Sequence, residues 1–394
     1  MAGERASRYR WAVLASGTFA QAGYTSLLVG LTVLAPAIRA RYGLTLAEIG
    51  VVLAAPNVGS IATLYPWGLA ADRFGERAVI TVGLGAAAAC LAVASRTSSF
   101  AGLTLSLVLA GGLGASVNSA TGRAVMHWFD EGSRGLALGL RQTSVPISGA
   151  LAAVTLPAIA GHDDPRRALV VLAIVCATGA AVGAALLREG PVPAGRHDTP
   201  PLLSPLRDRR IWLLSGAGAL MVEPQTCLVA FFVLFLHVHR SMSTSAAGAA
   251  LAVLNVLGVA TRIGAGRWSD VVGSRLVPLR RIALASAALI VLCAALTSAP
   301  LVVLLPALVV MGCVAISWNG LSFAATAEAA GHARTGTALG IQQTALAVAA
   351  SVLPIAFGWF VAETTWRAGF AVSILFPLGG WFVLRSVRQE RMLA

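Results

Sequence analysis

Gly68-Leu69-Ala70-Ala71-Asp72-Arg73-Phe74-Gly75-Glu76-Arg77 separates two long apolar runs, and the chain contains a second copy of it. Gly266-Arg267-Trp268-Ser269-Asp270-Val271-Val272-Gly273-Ser274-Arg275 keeps the same spacing of glycine, aspartate, glycine and arginine, 198 residues later. A second pair, Ala137-Leu138-Gly139-Leu140-Arg141-Gln142-Thr143 and Ala338-Leu339-Gly340-Ile341-Gln342-Gln343-Thr344, is offset by 201. Asn57 pairs with Asn255, Asn118 with Asn319, and Trp11 with Trp212 at the same offsets. The chain is therefore two related halves. In a membrane protein such repeats place a transport site near the bilayer midplane.

Composition says that it is a membrane protein. Of 394 residues 57% are apolar and 11% charged, with a mean hydropathy of +0.80. Average soluble domains carry about 25% charged residues, so this chain cannot clothe a globule. It contains no lysine, so all 29 basic side chains are arginine. That excludes a Walker A phosphate loop and Schiff-base catalysis. The net charge of +13 reads as topology-setting and lipid-facing arginine, with no nucleic-acid partner. Cys90, Cys176, Cys227, Cys293 and Cys313 all fall in apolar runs, without metal or disulfide spacing. No metal site and no cofactor is expected.

Polar and Gly/Pro punctuation predicts twelve spans: 11–36, 46–70, 78–95, 100–127, 134–160, 167–188, 210–238, 245–268, 281–298, 301–326, 333–360 and 367–385. With the N-terminus inside, 19 of the arginines fall in cytoplasmic segments and 7 in outer loops. That bias predicts two cytoplasmic termini in the plasma membrane. Residues 189–209 hold Pro191, Pro193, Pro200, Pro201 and Pro205, which reads as a semi-extended cytoplasmic linker. The expected organisation is an all-α membrane protein of two pseudo-symmetric six-helix bundles, 1–188 and 210–394, joined by that linker.

The Gly-x-x-x-Asp-Arg-x-Gly-x-Arg stretch between spans two and three resembles the signature loop of the major facilitator superfamily. The degenerate copy between spans eight and nine, the twelve spans and the long linker fit the same resemblance, which covers nearly the whole chain. It implies a gating role for Gly68, Asp72, Arg73, Gly75, Arg77 and their counterparts Gly266, Asp270, Gly273 and Arg275. By their chemistry the glycines allow close backbone approach. Asp72, at a helix end, suits a neighbouring helix N-terminus or an arginine. Arg77 is within reach of Asp130 or Glu131, and Arg275 of Glu328. Asp270 is expected to contribute less than Asp72, because Val271 stands where the first copy has Arg73.

Charges inside the spans are the strongest site candidates, because each costs about 2.5–3.5 kcal/mol at a helix centre. Glu223 lies near the middle of a predicted span, whereas Glu48 stands at the very start of another, and Pro224 follows Glu223. Desolvation favours the neutral form of such a carboxyl and a nearby arginine the charged form, which suits a proton carrier. The alternative is a fixed ion pair with Arg262 or Arg141. Arg262-x-x-x-Gly266-x-x-x-Asp270 is similar to span eight of organic-anion members of the superfamily, which implies anion binding by Arg262. A guanidinium fork suits a carboxylate. Arg141-Gln142-Thr143-x-x-Pro146-x-x-Gly149 resembles span five of nitrate-, cyanate- and nitroimidazole-type permeases. It also keeps the Pro-x-x-Gly core of the drug-exporter motif, but with Val145 and Ala150 where that motif has glycine. Arg141 and Arg123 lie nearer a membrane face, where snorkelling is the competing role. Tyr24, Asn57, Asn118, Gln142, Asn255, Trp318, Asn319 and Gln343 complete the substrate-binding candidates, with Gln21 and Gln225 beside them.

The sequence thus predicts a monomeric secondary transporter that moves a small, anionic solute with protons by alternating access. A proton-antiport pump for drugs or metabolites shares the fold, and an apolar, aromatic-lined site would favour it. A transport-dead membrane sensor is the remote alternative. A membrane enzyme is disfavoured by the absence of His-Glu-x-x-His, Gly-x-Ser-Gly and Gly-x-Gly-Asp stretches.

Overall fold

The computed structural model describes residues 2–160, 164–190 and 204–387, so Pro191, Pro193, Pro200 and Pro201 of the linker lie outside the described residues. Among these, fifteen α-helices follow one another: α1 Ala2–Tyr42, α2 Leu46–Ala94, α3 Phe100–Gly114, α4 Ser116–Trp128, α5 Arg134–Gln142, α6 Ser144–Ala160, α7 Arg166–Leu186, α8 Arg209–Leu234, α9 Thr244–Val272, α10 Leu276–Ala295, α11 Leu301–Ala315, α12 Asn319–Ala330, α13 Thr335–Glu363, α14 Trp366–Ser373 and α15 Leu375–Ser386.

Among the described residues, eleven runs of helix are long and apolar enough to cross a bilayer. One of them, Ala47–Ala94, has 48 residues. At about 1.5 Å per residue this is roughly 72 Å, more than twice the ~30 Å hydrocarbon thickness. It is two spans, which makes the count twelve. Gly75, at φ 80° and ψ 162°, is the only non-helical residue inside it. The sequence suggests a loop over 71–77. The structure instead keeps helix on both sides of one glycine, because a residue without Cβ can take a backbone turn closed to other L-residues.

Four further spans are interrupted midway, at Ala115, at Thr143, at 316–318 and at Ile374. Two breaks have the same cause. Pro146 and Pro377 have no N–H to give to the carbonyls four residues earlier, Gln142 and Ser373. α5 ends at Gln142 and α14 at Ser373. Before Ala115 the chain reads Gly111-Gly112-Leu113-Gly114, and glycine is the weakest helix former after proline.

By packing, the chain forms two units. The first holds Met1–Asp130, Arg141–Arg207 and Ala330–Thr344; the second holds Glu131–Leu140, Asp208–Ala329 and Ala345–Ala394. In the first unit α2 lies along α3 at backbone contact. A Cβ on Gly59 would collide with the Val108 carbonyl, and one on Gly111 with that of Pro56. Polar side chains of α2 close the seam. Ser60 Oγ donates to Gly111 O at 3.2 Å, and Thr63 Oγ1 and Trp67 Nε1 donate to Gly112 O at 2.7 and 2.8 Å. Carbonyls beside the Ala115 break thus find donors, as a solvent without water demands.

The second unit is centred on Leu228, Phe232, Phe235, Leu254, Ile290, Leu304 and Met311. Phe235 meets Trp366 and Phe370 edge-on, with centroids 5.1 and 5.4 Å apart. These rings border a cavity of about 30 Å³ that also touches Pro224, Cys227, Phe357 and Ser373. That is room for about two waters.

The seam predicts opposite outcomes for two glycines of α2. Gly59→Ala should cost about 1–3 kcal/mol, because the obstructing atom is backbone and cannot rotate away. Gly50→Ala meets nothing within 4 Å and should be neutral or stabilising by up to ~1 kcal/mol. Thermal unfolding of the purified variants in detergent measures both.

Candidate functional site

Asp72 and Asp270 are built alike. Asp72 Oδ1 accepts from the Gly336 amide at 2.8 Å, and its Oδ2 from the Thr337 amide at 2.7 Å and the Thr337 hydroxyl at 2.6 Å. Asp270 Oδ1 accepts from the Gly135 amide at 2.9 Å and its Oδ2 from the Leu136 amide at 2.8 Å. Each carboxylate thus caps a helix that begins far away in sequence, α13 and α5. The first amides of a helix have no partner within it, and its N-terminus favours negative charge. Glycines four residues earlier set the approach. A Cβ on Gly68 would strike Gly336 O, and one on Gly266 would strike Gly135 O. Glycine and aspartate at i and i+4 share one helix face, so backbone contact and cap form together.

Arginine completes each cap from a different place. Arg123 Nε is 3.4 Å from Asp72 Oδ1, and its Nη1 bonds Glu76. Arg275 Nη1 bonds Asp270 at 2.5 Å and its Nε bonds Glu328 at 3.0 Å. Nη2 of Arg275 donates to the Glu131 carbonyl. The expected reach of Arg275 to Glu328 is present. Arg77 is exposed and takes part in no ion pair among the described residues; Asp130 meets Arg10 and Glu131 meets Arg134. Arg73 is also exposed, stacked over Phe74. Arg123, read from sequence as a snorkelling candidate, is the ion-pair partner in the first copy. Gly273, at φ 66°, ends α9 in the left-handed conformation. Val271 in place of Arg73 therefore removes nothing from the second cap.

The buried arginines lie deeper. Arg141 is 1% exposed. Its Nη1 donates to Thr121 Oγ1 at 2.7 Å, Gln21 Oε1 at 3.2 Å and Asn118 O at 3.4 Å. Gln21 Nε2 in turn donates to Asn118 Oδ1 at 3.0 Å. These acceptors orient a guanidinium but carry no charge. In the second unit Arg262 is buried and its Nε donates to Ile316 O at 3.0 Å, where α11 breaks. Trp318 and Asn319 sit on the far side of that break, both buried, with Trp318 Nε1 and Asn319 Oδ1 lacking partners among the described residues.

Glu223 is 1% exposed on α8. Ser373 Oγ donates to its Oε1 at 2.7 Å, and Oε2 has no partner among the described residues. Glu223 takes part in no ion pair among those residues. Pro224, Cys227 and Ser373 beside it line the aromatic cavity.

The other candidates scatter. Tyr24 is buried and shares a 2.5 Å hydrogen bond with Ser60, which makes it part of the α1–α2 packing. Asn57 is exposed. Asn255 donates to Leu251 O in its own helix at 3.0 Å. Gln142 is buried and Gln343 half-buried. Thr121 and Ser373 are not recognisable from the sequence, since a hydroxyl in an apolar span carries no signal of its partner. For Arg123 the sequence carries a partial signal, since Asp72 and Glu76 lie four residues apart and share one helix face, but that signal does not separate Arg123 from Arg77.

A profile of the Major Facilitator Superfamily matches residues 14–354. A Mycobacterium tuberculosis protein described as an uncharacterized MFS-type transporter is 34% identical over 372 residues, covering 94% of this chain and 83% of the relative. A probable sulfoacetate transporter, SauU of Cupriavidus necator, is 32% identical over 152 residues, 37% of this chain and 34% of that protein. Among solved structures, the transporter FucP in its outward conformation has a TM-score of 0.78 at 17% identity, covering 96% of this chain and 98% of FucP. The human organic anion transporter MFSD10 scores 0.75 at 17% identity, covering 96% and 99%. The chain belongs to the major facilitator superfamily, and it is a multi-pass membrane transporter of that class.

Asp72→Asn and Asp270→Asn should each cost about 1–3 kcal/mol, because one acceptor facing an amide becomes a donor. That is roughly a 5- to 150-fold shift in cap opening, at about 1.4 kcal/mol per tenfold. The probe is maleimide labelling of an Ala330→Cys reporter in a background without the five native cysteines. Both aspartate variants should label faster and Arg73→Ala should not; equal effects from Arg73→Ala would assign the loop's role to net charge.

Proposed function

We propose that the chain is a proton-coupled secondary transporter of a small anion in the plasma membrane, acting by alternating access as a monomer with both termini cytoplasmic. The observation that supports this most is Arg141. A guanidinium this deeply buried in a membrane span, held by Gln21, Thr121 and Asn118, keeps its charge while its direction is fixed. Electrostatics of this kind favours an anionic guest. Arg262, pinned through Nε to Ile316 O, supplies a second cation beside the buried Trp318 and Asn319. The partial match to a probable sulfoacetate transporter supports the same substrate class.

Glu223 is the proposed proton carrier. A carboxyl bonded through one oxygen to a neutral hydroxyl keeps the other free to gain and lose a proton. The Asp72 and Asp270 caps are the proposed gates, and 1–188 and 210–394 the two moving bundles about the 189–209 linker. The aromatic cavity next to Glu223 favours a second reading, antiport of an apolar drug or metabolite, and the same assays separate the two.

Arg262→Ala should abolish stabilisation of the purified protein by small carboxylates, sulfonates, nitrate or cyanate while leaving it folded. Arg262→Lys should restore little, because an ammonium lacks the planar fork. Stabilisation by lipophilic drugs and by no anion would favour the antiport reading. Glu223→Gln should keep substrate counterflow in proteoliposomes and lose pH-driven accumulation. Intact pH-driven transport in that variant would remove Glu223 from the mechanism.

A further inference from the structure

Three arginines outside the transport machinery converge at one place. The end of α2 and the start of α7 border an open hollow of about 440 Å³ lined by Ser95, Arg96, Arg166, Arg167 and Val170. Both segments belong to the first unit, and α2 packs along α7. Arg96 and Arg167 are exposed and Arg166 is half-buried. The Nε of Arg166 is buried and has no acceptor among the described residues.

Two of these arginines stand where a helix least favours them. Arg166 and Arg167 open α7, at its positive end, and the N-cap Pro165 offers no side-chain cap. Among the described residues Asp164 is the acid at this corner, and it is already engaged. Its Oδ1 accepts from the Arg166 amide at 3.2 Å and lies 3.9 Å from Arg41. The hollow therefore holds three guanidiniums and a helix N-terminus, all of which an anion would complement.

The neighbouring surface indicates the kind of anion. Val93 on α2, and Val170 and Ile174 on α7, are exposed apolar side chains on the same two helices. Both helices are membrane spans. Charge at the span ends beside exposed apolar side chains along the spans is the pattern of a phospholipid, headgroup above and acyl chains below.

We propose that Arg96, Arg166 and Arg167 bind the phosphate of an anionic phospholipid at the end of the α2–α7 pair. This site is separate from the substrate site and does not depend on the substrate's identity. Arg166 supplies the buried donor, and Arg96 and Arg167 close on the phosphate from either side.

The test is native mass spectrometry of the full chain in detergent, titrated with phosphatidylglycerol, phosphatidylcholine or inorganic phosphate. The protein should retain phosphatidylglycerol in preference to phosphatidylcholine, and millimolar phosphate should not displace it. Arg96→Gln with Arg167→Gln should weaken retention about 25-fold, at roughly fivefold per arginine near an anionic headgroup. Arg207→Gln, an exposed arginine elsewhere, should leave it unchanged. Should the double variant not fold, Arg96→Gln alone should show the roughly fivefold loss. Equal retention of both lipids, displacement by free phosphate, or unchanged retention in the arginine variants would each overturn the assignment.

Discussion

The structure depends on how helix ends are satisfied where water is scarce. Four amides at the start of every helix have no partner within it, and in hydrocarbon each unsatisfied group costs several kcal/mol. For α13 and α5 the partner is a carboxylate from a distant span, Asp72 or Asp270. This explains why the repeated stretch has its composition. A carboxylate reaches two consecutive amides only if the helices touch at the backbone, and Gly68 and Gly266 one turn earlier permit that contact. Arg123 and Arg275 then balance the buried charge.

The same constraint shapes the middle of the spans. Pro146 and Pro377 remove amide donors, and the helices break at the carbonyls those donors would have served. One break places Ser373 against Glu223. At the break after α11, Arg262 bonds the Ile316 carbonyl. Arg141 is held differently, by the side chains of Thr121 and Gln21 and by the Asn118 carbonyl in the first turn of α4, a group that the break at Ala115 does not free. An arginine in a span is costly when alone, and interrupted helices offer carbonyl oxygens that a continuous one would keep for itself. The break after α11 and the buried Arg262 therefore belong to one arrangement.

Much of this was legible in the sequence. The repeat identified Asp72 and Asp270 together, apolar run length set twelve spans, and Glu223, Arg141 and Arg262 stood out because charge is rare in hydrocarbon. The rest was hidden for definite reasons. The single-residue turn at Gly75 looks like a loop when only polarity is read. Arg77 and Arg123 are equally plausible partners for an acid until helix rotation is known, and rotation places Arg77 outward. Asn57, Tyr24 and Asn255 are polar, but a polar side chain in a span can bond its own helix or a packing neighbour as readily as a solute. Ser373 became important only through the fold that sets α14 beside α8.

The central claim, movement of a small anion linked to proton movement, is tested most directly in proteoliposomes that enclose a pH-sensitive dye. A panel of small carboxylates and sulfonates is added outside, with the membrane potential clamped. The account predicts a change of internal pH that depends on one class of anion and on the protein. A pH change evoked by lipophilic drugs alone, or anion uptake with no proton movement at all, would contradict it.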